Sequence, residues 1–246
     1  MQRSSISMSE KNRFRINDLK LEGPTPRAAA TNKRTKVNCP LCHTSGGIDY
    51  YEDTKRKYRQ CEICDLVYVP NEYYLSRDEE KTVYDLHQNS PDDPEYRRFL
   101  SRLFKPLLDQ IKPKSRGLDF GSGPGPTLSA MFKEADHEMA IYDPFYARDD
   151  SVWDEKYDFI TATEVVEHLH HPGEVLDRLW SGLKLGGILG LMTKLVINHK
   201  VFADWHYKMD PTHVSFFSVN TFTWLGKHWH TKAVFVGNDV ILLRKT

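Results

Sequence analysis

The sequence predicts an α/β protein. Its sheet is mostly parallel, closed by an antiparallel C-terminal hairpin and shortened after the second strand, and a small cysteine-bracketed metal ribbon precedes it. Three observations carry this. Four cysteines fall within 26 residues as two C-x2-C pairs. Beyond residue 114, short apolar runs alternate with stretches of helical period, the pattern of strand–helix–strand units. Near the end, two apolar runs flank Gly237-Asn238, a hairpin signal.

The ribbon comes first, over residues 37–72. Cys39, Cys42, Cys61 and Cys64 are spaced as C-x2-C-x18-C-x2-C, within the range of zinc sites. Each pair can turn two thiolates toward one ion, and two pairs complete a tetrahedral shell. The apolar residues between them (Ile48, Tyr50, Tyr51, Tyr58, Val67, Tyr68) are too few for an independent core, so a bound metal would supply folding free energy. Two disulfides are the alternative, disfavoured in a chain without a signal peptide; a redox C-x2-C pair is another. Four thiolates leave no open coordination position, so the zinc is expected to be structural.

Residues 73–113 form a helical connector or lid. The stretch 71–92 is polar, and His87 and Asn89 are candidates for a lid, with plain loop capping as the alternative. From Pro94 a helix is expected, because Phe99, Leu103, Leu107 and Ile111 recur every four residues. Pro106 should kink or split it, and Pro113 should end it.

The sheet domain is expected over 114–246. RGLDF is its first strand, and GSGPGP is a turn that places Pro126 in the first turn of the helix TLSAMFKEA. HEMAIYDP and YDFITAT are the next strands. PGEVLDRLWSGLK is a helix with Val175, Leu176, Leu179, Trp180 and Leu183 on one face, stopped by Gly186-Gly187. ILGLMTKLV is a buried strand, and SVNTFTWLGKHW is the last helix.

The chain has 34 basic and 34 acidic residues, so it exerts no global pull on nucleic acid or anionic membrane. The charge is unevenly placed. Residues 1–36 hold nine Lys/Arg against three acids, a net +6, and the rest carries −6. This tail reads as a disordered basic segment; a nucleic-acid-binding arm is the sharper alternative. There is no apolar run of membrane-spanning length and no signal-peptide pattern, so a cytoplasmic location is expected.

The run Gly117–Pro126 ends a strand and opens a helix. Its glycines let backbone approach a ligand, and the helix N-terminus offers N–H groups. Asp143 lies 22 residues beyond Gly121, where a carboxylate can accept both ribose hydroxyls. This arrangement points to a nucleoside cofactor. An NAD(P) site would more typically show G-x-G-x-x-G, and Pro126 breaks that fingerprint.

GLDFGSGPGP, IYDPF, YDFITATEVVEHLHHP and LKLGGILGLMT resemble the successive motifs of class I S-adenosylmethionine methyltransferases, which have a Rossmann-like core. CPLC and CEIC ahead of that core, with WHYKMDPTHVSFFS behind it, resemble bacterial methyltransferases with an N-terminal zinc ribbon. The resemblance spans residues 37–246. It implies that Gly121, Ser122 and Gly123 lie against the methionine part of the cofactor. It also implies that Asp119 helps bind the amino group, that Asp143 and Pro144 line the ribose side, and that Glu164 lies beside the cofactor. Only 13 residues separate Asp143 from Tyr157, where this family usually inserts a helix and a strand. That element is expected to be stunted, which leaves the adenine contact without a counterpart; Asp149 and Asp150 are the nearest carboxylates.

Glu164, Glu167 and His168 stand at i, i+3, i+4 and would share one face of a helical turn. They could hold Mg²⁺ or Mn²⁺, and EVVEH resembles the metal motif of ubiquinone-biosynthesis and small-RNA methyltransferases. The favoured reading is a loop lining the cofactor. Trp205, Tyr207 and Asp210 suit a substrate pocket at the carboxyl edge of the sheet. His213 is the first candidate for a general base; a structural imidazole bonded to Asp210 is the alternative. The expected function is methyl transfer to a small molecule. Transfer to RNA or protein, docked through the ribbon and tail, is the rival.

Overall fold

The computed structural model describes residues 38–86 and 90–246. The basic segment 1–36 and the lid candidates His87 and Asn89 lie outside the described residues.

Among the described residues, ten strands form two sheets. In the larger one, the parallel strands β4 (Arg116–Phe120), β5 (Glu138–Tyr142), β6 (Tyr157–Thr163) and β7 (Leu183–Met192) continue into the hairpin β9 (Ala233–Val236) and β10 (Val240–Arg244). The order is β5-β4-β6-β7-β10-β9, with β10 antiparallel to both neighbours. Strand side chains alternate faces, and both faces are covered. Phe159, Ile188, Met192, Val240 and Leu242 meet Leu100, Leu103, Leu107 and Phe132 of helices α2 (Pro94–Leu108) and α3 (Thr127–Glu134). Ile160, Leu189, Leu191, Ile241 and Leu243 meet Leu176, Leu179, Phe222 and Leu225 of α4 (Pro172–Gly182) and α6 (Val219–His228). Burial on both faces explains why these strands read as nearly unbroken apolar runs.

The expected shortening is present. Between β5 and β6 the chain makes only a bridge from Asp143 to Ala147 and a 3-10 turn over Asp150–Asp154. Strand β5 is therefore an edge, and Trp153 packs against its Tyr142.

Three local expectations change. Helix α2 runs unbroken through Pro106 to Leu108. The proline sits in the last turn, where only one intrahelical bond is forgone. Helix α4 stops at Gly182, and β7 begins at Leu183. Strand β7 ends at Met192, so Thr193 and Lys194 leave the sheet. Within the polar stretch 71–92 the connector holds a helix of its own, α1 (Arg77–Tyr84), whose capping box joins Ser76 and Glu79.

The ribbon is the hairpin β1 (Ile48–Glu52) and β2 (Lys57–Gln60), extended by β3 (Val67–Tyr68). A fourth strand, β8 (Ser215–Phe216), comes from the far end of the chain and pairs with β3. The short helix α5 (His199–Ala203) lies beside β1. The missing core is thus borrowed: Tyr58, Val67 and Val69 bury against Val196, Phe202, Tyr207, Val214 and Phe216.

Candidate active site

The first part of the site forms where β4 and β5 end. Gly121 and Gly123 take left-handed backbone angles, φ +73° and +64°, which a glycine adopts without steric cost. A Cβ on Gly121 would lie 2.4 Å from Val165, so the loop can lie against the turn that follows β6 only with glycine there. The Gly121 N–H donates to the Tyr142 carbonyl at 2.8 Å, closing the loop onto β5.

Asp143 ties the two strand ends together. One carboxylate oxygen accepts the Gly123 N–H at 2.9 Å; the other accepts those of Phe145 and Tyr146 at 2.8 and 3.1 Å. Asp119 is buried on β4 and accepts the Thr161 hydroxyl at 2.8 Å. Burial pushes its carboxyl up to about 6, against the pull of the bonds from Thr161 and the Ser129 N–H. The Ser122 hydroxyl is buried with no protein partner among the described residues. Pro144 is exposed, and its carbonyl accepts from Arg77 at 3.0 Å.

The second part forms where β6 ends. Glu164 has φ +52°, a left-handed conformation that costs a non-glycine residue on the order of 1 kcal/mol and is found at functional sites. Its Oε1 is buried and unbonded among the described residues. Burial raises its carboxyl to about 7, opposed by the charges of Lys194 and Arg102. Glu167 follows in a 3-10 turn (Val166–His168) and is 0% exposed. It accepts the Thr193 hydroxyl at 3.0 Å and a short bond from the Tyr207 hydroxyl. Burial first, and the nearby Glu164 second, push its carboxyl up to about 8. The Tyr207 hydroxyl also lies 3.5 Å from Glu164 and 3.2 Å from Thr193. Burial and the two glutamates raise its ionisation well above the ordinary tyrosine range.

The segment 205–213 supplies the third part. His213 is buried, and its Nδ1–H donates to the Tyr207 carbonyl at 2.7 Å; its Nε2 lies 3.8 Å from Asp210. Burial lowers the imidazole to about 4, so the ring is neutral at pH 7. Asp210 accepts the Thr212 hydroxyl at 2.6 Å, and Thr212 also meets His168 Nδ1 at 2.9 Å. Trp205 packs between Tyr207 and Phe202. Glu167, His168 and His213 bring ligand atoms within 4.8 Å of one another. Glu164 is not in that group, so the expected trio is regrouped with His213 in its place.

Helix α1 spans the first two parts. Its Tyr84 ring meets both Phe145 and His168. Glu80 reaches His170 at 2.8 Å, and Asp85, just past the helix, accepts the Tyr146 hydroxyl at 2.7 Å. The signal for its start is S-x-x-E at Ser76–Glu79, a helix-start signature.

The cysteines form a separate centre. Cys39 and Cys64 sulfurs lie 3.5 Å apart and those of Cys42 and Cys61 3.4 Å apart, with all four within 4.8 Å. A tetrahedron with Zn–S bonds of about 2.3 Å has edges of about 3.8 Å, so the donor set fits one ion. The two knuckles close alike: the N–H groups of His43 and Asp65 return to the carbonyls of Cys39 and Cys61 at 3.0 Å, both in left-handed conformation. The knuckles press on the sheet domain. The Gly173 N–H donates to the Pro40 carbonyl, and a Cβ on Gly173 would lie 2.3 Å from the Leu41 carbonyl.

A family model described as a methyltransferase domain matches residues 92–229. No curated protein matches the chain. Among solved structures, the chain is similar to the 1,6-didemethyltoxoflavin N1-methyltransferase of Burkholderia thailandensis, solved with 1,6-didemethyltoxoflavin and S-adenosylhomocysteine. That likeness has 16% identity and a TM-score of 0.48, over 81% of this chain and 99% of that one. The chain is also similar to an S-adenosylmethionine-dependent methyltransferase from Archaeoglobus fulgidus, with 17% identity and a TM-score of 0.47, over 61% and 94% of the two chains.

Proposed function

The chain belongs to the methyltransferase-domain family, and on that premise we propose that it methylates a small-molecule acceptor held beneath helix α1. It is a methyltransferase, and we infer that its methyl donor is S-adenosylmethionine. The observation that supports a small acceptor is the span of α1. The helix contacts the Asp143 turn and the Glu167–His170 turn at once, and so bridges the space between them. A polymer would need that space open. The charge agrees: residues 37–246 carry a net −6, which repels a polyanion.

The cofactor would be held by Gly121, Ser122 and Gly123 against its methionine part, with Asp119 toward the amino group and Asp143 and Pro144 at the ribose. The unbonded Ser122 hydroxyl and Glu164 carboxylate oxygen fit this reading, since each has bonding capacity directed into the site. When bound, the cofactor supplies a sulfonium-activated methyl group. The chain's own contribution is to align the acceptor in line with that methyl and to exclude water.

We place the proton acceptor at Glu164 rather than His213. Glu164 has a free oxygen and a carboxyl raised to about 7, suited to a base near neutral pH. Glu164 would take the proton that the acceptor's oxygen or nitrogen gives up on methylation. The Tyr207 hydroxyl stands 3.5 Å from the Glu164 carboxylate, Glu167 and Thr193 hold that hydroxyl, and His213 braces Tyr207 through its carbonyl. At the second centre, Cys39, Cys42, Cys61 and Cys64 hold a structural zinc.

The test uses S-adenosylmethionine labelled in the methyl group, offered with a panel of phenols, sugars and amines, and in parallel with total RNA and total protein. Label in a small-molecule product supports the proposal. Label in RNA or protein alone, lost on deleting residues 1–36, overturns it.

A further inference from the structure

The ribbon's hairpin turn reaches into the acceptor side of the site through one residue. Arg56 ends the β1–β2 turn, which Asp53 shapes by accepting the N–H groups of Lys55 and Arg56 at 2.9 and 3.0 Å. The Arg56 side chain is 8% exposed. Among the described residues, no carboxylate receives its guanidinium. Nη2 donates to the Asp210 carbonyl at 2.8 Å and, in a short bond, to the Lys208 carbonyl; Nη1 donates to the Pro211 carbonyl at 3.2 Å. Nε donates to the Tyr58 hydroxyl at 2.8 Å. Four of its five N–H donors are thus used, three toward one four-residue stretch of backbone.

That stretch lies between Tyr207 and His213. The Tyr207 carbonyl is taken by His213, so the carbonyls of residues 207, 208, 210 and 211 are all engaged inside the protein. Lys208, also buried, turns back to the hairpin, pairing with Asp53 at 3.3 Å and lying over the Tyr51 ring.

We propose that Arg56 is a positioning residue for methyl transfer: by gathering the carbonyls of residues 208–211 it sets the reach of Tyr207 toward Glu164, which makes the ribbon a working wall of the acceptor site. This rests on the reading of Glu164 as the proton acceptor. A planar guanidinium can span three diverging carbonyls and a phenol; a lysine ammonium, compact and on a flexible stem, cannot reproduce that fork.

The experiment compares Arg56→Met and Arg56→Lys with wild type, using whichever acceptor the labelling screen identifies. The expected result is zinc content and S-adenosylhomocysteine affinity within twofold of wild type, kcat at least tenfold lower in both variants, and a shifted apparent pKa in the pH profile of kcat. In an Arg56→Ala variant, millimolar guanidinium should restore part of kcat where the same concentration of urea does not. A folded variant with wild-type kcat and pH profile overturns the inference. So does a kcat loss matched by an equal loss of S-adenosylhomocysteine affinity. If Arg56→Met does not fold, Arg56→Lys decides by the same results. Wild type that labels only RNA or protein refutes the small-acceptor reading separately, and the variants are then scored on that acceptor.

Discussion

Glu167→Gln offers a direct test of the buried carboxyl pair. Glu167 is fully enclosed, and its carboxyl rises from 4.5 in the ordinary state to about 8 in the fold. Because the folded value lies above the unfolded one, the contribution is fully present below about 4.5 and is lost as pH rises through about 8. Between pH 5 and pH 8, wild type should lose up to about 1.4 kcal/mol per pH unit on this account, a ceiling on the order of 4 kcal/mol. Glutamine cannot ionise, so the variant lacks this slope. It does give up one accepted bond, from Tyr207 or Thr193, at a cost of about 1 kcal/mol. The variant should therefore melt slightly below wild type at pH 5 and above it at pH 8.5, the difference moving by roughly 6–12 °C for about 3 kcal/mol. The assay is thermal unfolding of both proteins in low-salt buffers across that range. A difference in Tm that stays constant from pH 5 to pH 8.5 would refute the reasoning.

Three further outcomes are expected. Asp143→Ala should weaken S-adenosylhomocysteine binding at least tenfold by calorimetry, since two charge-assisted bonds to ribose would go at about 1.5–3 kcal/mol each; unchanged affinity sinks the cofactor assignment. Elemental analysis should find one zinc per chain, and a Cys61→Ser variant should lose both the metal and the near-ultraviolet signal of the ribbon tyrosines; a folded, zinc-free wild type rules the centre out. Millimolar Mn²⁺ or Mg²⁺ should leave Tm unchanged, because Glu167 already serves Tyr207 and Thr193; a rise of several degrees would mean that Glu167, His168 and His213 bind the ion.

What the sequence disclosed depended on how local each signal was. The cysteine spacing, the glycine turn and Asp143 each lie within a short window, and the structure brings each set together. The missing helix and strand were legible as a 13-residue gap, too short for both. Pro106 misled because its effect depends on position: near a helix end, little is broken. Strand β8 was not legible, since two residues carry no period and the partner strand is remote. Nor was Arg56, which is one of four basic residues in DTKRKYR; only the fold shows that its side chain turns inward while Lys57 pairs with Glu52 at the surface. The regrouping of His213 with Glu167 and His168 likewise needs the path of the chain after β7.

The pairing of β3 with β8 also bears on how the protein is made. Val67 and Tyr68 leave the ribosome about 150 residues before Phe216 and Ser215, which at 5–20 residues per second is a delay of roughly 10–30 s. During that interval the cysteines are out, but the strand and the aromatic core that cover them are not. Until the C-terminal half arrives, a bound metal would be the main support of the ribbon. Synthesis under zinc depletion should leave full-length chains that fail late, after the parallel strands have formed, rather than truncated early products.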